Sequence, residues 1–174
     1  MDVKDILLAI SSTGVAHWVN TMLGAFAVVE AFHVLGVAIV FGSMLIVDLR
    51  LVGFPSTARP FTEIAAETLK WTWGAFALAL ITGALLFSTN PVFYFENFEF
   101  RMKMVLLVLA GLNMAIFEYY TVRSVSNWDS NAPVPLGGRI AGSLSLMFWI
   151  GVVTFGRLIG FASSAMQDPF AGLS

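Results

Sequence analysis

Glu30 and His33 stand three residues apart in a long apolar stretch, a spacing that puts both on one face of a helix. An ionisable side chain at membrane depth is costly to bury and marks a candidate functional site. A carboxylate beside an imidazole fixes its tautomer and raises its basicity. The imidazole can then ligate haem iron or copper, so His33 is the candidate metal ligand and Glu30 its orienting partner. Lys103 and Arg157 sit in two later apolar stretches, where they could neutralise haem propionates or position a quinone headgroup. Phe26, Phe32, Phe148, Trp149 and Phe155 would supply flat apolar walls. A second axial ligand is harder to find. His17 is the other histidine, sixteen residues earlier. Along a continuous helix that is roughly 24 Å. Either His33 is the sole protein ligand of a haem, or the set is completed by His17 on a segment folded back, by Met44, Met104 or Met147, or by another subunit. The alternative is architectural: Glu30 and His33 bond neighbouring helices and hold a bundle together. His17 with Trp18 suits a membrane interface, where amphipathic rings settle.

These residues need a scaffold, and composition names it. Of 174 residues, 58% are apolar and 11% charged, less than half the charged share of ordinary soluble domains. A lipid bilayer is the natural solvent for such a chain. There are no cysteines, so disulfides, iron–sulfur clusters and thiolate chemistry are excluded. A net charge of −2 with scattered basic residues argues against a nucleic-acid partner. The eight methionines form no M-x-x-M pair and read as core filling rather than a Cu(I) conduit.

Four stretches are long enough to span hydrocarbon, which takes about 20 helical residues. They run from about Met22 to Val47, Trp71 to Phe87, Met102 to Val122 and Ile140 to Ala162. Short connections make neighbours antiparallel, so the predicted fold is an all-α, integral-membrane, up-down four-helix bundle. Residues 1–20 form an interfacial segment, 21–165 the transmembrane domain and 166–174 a tail. Val3, Ile6, Leu7 and Ile10 share a face, which predicts a short interfacial helix, with Gly14 and Asn20 offering the turn into the first span. Pro55 and Pro60 break the chain after that span, and Thr62 with Glu63 could open a short amphipathic helix. Asn90-Pro91 ends the second span. The run Phe93-Tyr94-Phe95-Glu96-Asn97-Phe98 reads as an aromatic belt. Asn131, Pro133, Pro135, Gly137 and Gly138 make a turn before the fourth span, and Gly138, Gly142, Gly156 and Gly160 are packing notches.

Depth follows from the rise per residue. Glu30 lies roughly 12 Å and His33 roughly 16 Å below Met22, with Arg157 roughly 9 Å from the same surface. Glu30, His33, Lys103 and Arg157 therefore fall in one half of the bundle. Asp48, Arg50, Glu118 and Arg139 form a shallower set at the other end, with Asp48 and Arg50 expected to pair as ions. The connections after spans one and three hold Arg50, Arg59, Lys70, Arg123 and Arg139, against Lys4, Arg101 and Lys103 opposite. By the positive-inside rule both termini face the periplasm of a bacterial inner membrane.

The stretch His33-Val-Leu-Gly36 through Phe41-Gly42-Ser-Met-Leu-Ile-Val-Asp48-Leu-Arg50-Leu-Val-Gly53 resembles the first-helix signature of a bacterial membrane family related to the copper-resistance CopD-like proteins. Phe100-Arg-Met-Lys103 leading to Asn113, and Gly156-Arg157-Leu-Ile-Gly-Phe161, resemble its third and last helices. The resemblance implies a four-helix membrane fold and a link to copper. His33 and Lys103 also occupy places comparable to a histidine and a lysine of the four-helix membrane protoporphyrinogen oxidase, which implies haem and redox chemistry. The resulting expectation is a membrane protein that holds haem b or a related redox cofactor at His33 and passes electrons between a periplasmic partner and quinone. Two rivals stand beside it: an accessory subunit of a larger membrane complex or homo-oligomer, and a copper or small-solute permease.

Overall fold

The computed structural model describes residues 2–54, 58–130 and 132–167, with the backbone alone for residues 122 and 162–167. Short polar residues start four of the helices. Asp2 caps α1 (Val3–Ser11) in a reciprocal box with Asp5, and the Thr13 hydroxyl caps α2 (Gly14–Thr21). The segment expected as one interfacial helix is therefore two. Thr13 explains the break, because a side chain that accepts from the Ala16 N–H restarts the helix there. The turn into the membrane comes later than Asn20. Gly24 takes φ +81°, a left-handed conformation that suits glycine, just before α3 (Ala25–Val52).

The second span is longer than its apolar stretch. α4 (Phe61–Thr89) runs unbroken from the residue after Pro60, so the expected short amphipathic helix at Thr62 and Glu63 is its first turn. Asn90 then ends α4 and caps α5 (Pro91–Glu96), with Pro91 in the first turn where no N–H is needed. Asn97 caps α6 (Phe98–Tyr120) by accepting from the Phe100 N–H at 2.7 Å. A 3-10 turn (Val122–Asn127) leads on, and α7 (Leu136–Gln167) completes the bundle. Pro55, Asn131 and the tail beyond residue 167 lie outside the described residues.

All four long helices, α3, α4, α6 and α7, are long and apolar enough to cross a membrane. Of α6 only Ala110 is buried, and Val105, Val108, Leu112 and Ile116 stand exposed, a surface that lipid rather than water can cover. The protein is a multi-pass membrane protein. α3 packs along α4 on one side and α7 on the other, while α6 packs along α7. Glycines set these distances. A Cβ on Gly36 would lie 3.1 Å from the Ala75 carbonyl oxygen of α4, and one on Gly142 would lie 2.9 Å from the Asp48 carbonyl oxygen of α3. Asn113 adds a tie between α6 and α7, donating to the Ala141 carbonyl at 2.9 Å. At one end of the bundle α1 packs on α5, and Lys4 approaches Glu96 at 3.8 Å. The expected aromatic belt is the helix α5, whose Tyr94 packs against Phe87 of α4 and Phe100 of α6.

The opposite end is closed by Leu51, Phe61, Trp128 and Val134, a buried apolar plug. Arg50 is buried beside it and does not form the expected ion pair with Asp48. Residues two apart project to well-separated faces of a helix. Arg50 instead donates through Nε to the Arg59 carbonyl at 3.0 Å and through Nη2 to the Asp129 carbonyl at 2.7 Å. Asp129 in turn caps α4: its carboxylate accepts from the Thr62 N–H at 2.9 Å and the Thr62 hydroxyl at 2.8 Å. Glu118 and Arg139, the other members expected at this end, are exposed.

Two outcomes follow. Gly142→Ala forces its new methyl against α3 backbone and lowers stability by about 1–3 kcal/mol in unfolding of the solubilised protein. The Thr62 N–H, then the Thr62 hydroxyl and other donors, hold the Asp129 carboxyl below the ordinary carboxylate range against the opposing effect of burial. A carboxyl so depressed adds stability above its unfolded pKa and loses it as pH falls through the folded one. Asp129→Ala therefore lowers the melting temperature at neutral pH, and the gap from the wild type narrows on acidification.

Candidate functional site: a histidine and a lysine between helices

His33 projects from α3 toward α4 and α6. Its Nδ1 lies 2.9 Å from the Ala79 carbonyl oxygen and 3.2 Å from Thr82 Oγ1. A carbonyl oxygen only accepts, so Nδ1 carries the proton and donates. Thr82 can receive that same proton because its own hydroxyl is spent on the Leu78 carbonyl at 2.6 Å. Nε2 is then the acceptor, and Lys103 Nζ of α6 donates to it at 3.3 Å. The imidazole is neutral, held in one tautomer by α4 and presenting its lone pair to α6.

Small residues make room for this arrangement. A Cβ on Gly83 would lie 3.0 Å from His33 Cε1, and one on Gly156 would lie 3.7 Å from Lys103 Nζ. Both side chains are partly buried, and no carboxylate lies within ion-pair distance of Lys103 among the described residues. A desolvated ammonium with a neutral imidazole as its acceptor is poised to receive an anionic or carbonyl oxygen.

The four residues expected as one cluster separate into two. His33 and Lys103 meet inside the bundle. Glu30 and Arg157 are exposed and line a groove of about 530 Å³ on the outer side of α3, with Ala27, Ala31, Val34 and Ala38. Glu30 does not orient His33; the Ala79 carbonyl and Thr82 take that role. The Glu30 charge reaches Tyr94 instead, whose phenol is held above its ordinary range first by burial and then by that carboxylate, with a Thr89 hydrogen bond opposing. Arg157 lies over the Phe161 ring at 5.0 Å. His17 is exposed on α2, as are Met104 and Met147 on α6 and α7. No group of three or more His, Asp or Glu side chains that could hold a metal ion occurs among the described residues.

Sequence reasoning missed the α4 contribution. Thr82-Gly83 adjoining in an apolar helix is a weak signal, and a backbone carbonyl such as that of Ala79 has none. Removing the lysine tests the tautomer. In Lys103→Met the nitrogen NMR signal of His33 Nε2 shifts, whereas Nδ1 remains protonated, because Ala79 and not Lys103 fixes it.

A family of unknown function (DUF6644) matches residues 7–162, which takes in every span, the α5 elbow and both halves of the His33–Lys103 pair. No curated protein and no solved structure matches the chain. With the match covering most of its length, the chain belongs to the DUF6644 family.

Proposed function

We propose that the His33–Lys103 pair is the binding centre of a membrane redox protein whose cofactor is haem b, and that the chain passes electrons between a partner outside the membrane and quinone. The observation that carries this reading is the orientation of the imidazole. A histidine that ligates a metal typically donates its other ring N–H to a carbonyl or carboxylate, as His33 does to Ala79. The donor set also favours a macrocycle over a bare ion. One histidine cannot hold copper or zinc alone, whereas a porphyrin brings its own equatorial nitrogens and needs only an axial ligand from the protein.

When bound, haem supplies a one-electron redox couple. The residues of this chain do the rest. His33 Nε2 would hold the iron, its tautomer already set by α4. Lys103 would pair with a propionate. Gly83 and Gly156 give the imidazole and the amine the room that they occupy. The groove carrying Glu30 and Arg157 opens sideways and serves the quinone, with Arg157 donating to a headgroup oxygen. The charge balance of the connecting loops supports placing the α5 end outside the cytoplasm of a bacterial inner membrane.

The test is an absorption spectrum of protein purified from haem-replete membranes. The wild type shows a Soret band, His33→Ala loses it, and Lys103→Gln keeps it while releasing haem faster. A wild-type protein without the band, or a band unchanged in His33→Ala, overturns the reading. Co-purification of a stoichiometric partner with no cofactor would instead favour the accessory-subunit reading.

A further inference from the structure

Asp48 lies at the far end of α3 from His33, is 2% exposed, and takes no part in the site described above. Among the described residues its Oδ2 has no hydrogen-bond partner. The Ser145 hydroxyl of α7 is its side-chain neighbour, and Ser145 is itself buried. The other charged groups on the elements around it are engaged elsewhere or point outward. On its own helix Arg50 donates to Arg59 and Asp129. On α7, Arg139 is exposed, and on α4 so are Glu63, Glu67 and Lys70. Gly142 brings the α7 backbone against Asp48, and the Leu51–Phe61–Trp128–Val134 plug adjoins it toward the end of the bundle. A buried oxygen left without a donor is costly, and native proteins tolerate it where an ion, a proton or a function accounts for it. Inside a membrane, a lone carboxylate is a functional group by default.

We propose that Asp48, with the Ser145 hydroxyl, forms a site for one exchangeable monovalent cation, H⁺ or Na⁺, at the end of the bundle opposite the His33–Lys103 pair. The cation completes the coordination of Oδ2 that the protein leaves open. Exchange runs along the α3–α7 interface, where the Ser145 hydroxyl is buried beside the carboxylate. This site stands independently of the haem reading, because none of its atoms belongs to the His33 centre.

A hydrophobic carbodiimide, which adds to protonated carboxyls in apolar surroundings, tests the proposal on the full chain in its membrane. Mass spectrometry of the digested protein reads the adduct on Asp48. For a proton site, labelling falls about tenfold per pH unit on the alkaline side and is indifferent to Na⁺. For a sodium site, added NaCl at fixed pH protects Asp48 and choline chloride does not. Absence of an adduct on Asp48 at every pH, while Ser145→Ala is equally unlabelled, overturns the proposal. Asp48→Asn supplies a second readout: it keeps the melting temperature of the wild type and abolishes its dependence on the protecting cation. A large loss of stability in Asp48→Asn at all pH values would show a fixed structural anion and would also overturn it.

Discussion

Inside hydrocarbon no water is present to satisfy a polar group, so each one must find its partner within the protein or forgo it. That constraint organises the whole bundle. Threonine and serine hydroxyls along the spans turn back to carbonyls of their own helices, as Thr72 does to Thr68 and Thr154 to Ile150. Asn113 spends its amide on the neighbouring helix. Among the described residues His33 meets the constraint across helices, with both ring nitrogens engaged, whereas Lys103 has a neutral partner in place of a counter-ion and Asp48 has one oxygen unmet.

The fold was legible because its causes are local. Apolar length named the spans, and Asn90-Pro91 marked the end of one helix and the start of the next. The boundaries that differ do so for a physical reason. The polar first turns of α4, from Phe61 to Lys70, are held as helix by tertiary contacts: Phe61 docks on Trp128, and Asp129 caps the N-terminus from a distant loop. A window of hydropathy cannot see a cap that arrives from 67 residues away. The same is true of the two interfacial helices, which pack against α4 and α5 rather than lying as one rod.

The candidate site was legible in part. Helical rise placed His33 and Lys103 in the same half of the bundle, and the structure joins them. Depth alone does not give azimuth, however. Glu30 and Arg157 share the level of the pair and face a different side of α3, so the carboxylate expected to orient the histidine lines an external groove. The orienting group proved to be the Ala79 main-chain oxygen, which every residue type offers equally and which no sequence pattern can therefore advertise.

The packing order has an architectural consequence. The long helices close on one another in the sequence α4, α3, α7, α6, leaving the backbones of α4 and α6 apart along most of their length. They are bridged near the α5 end by the stacked rings of Phe87 and Phe100, at 5.5 Å. The hydrogen bond between His33 and Lys103 joins α6 to the side chain that α4 holds in place. The barrel of helices is thus a horseshoe whose open edge, between α4 and α6, is crossed by side chains: Phe61 on Phe117 at one end, Phe87 on Phe100 at the other, and between them the hydrogen bond from an amine to an imidazole.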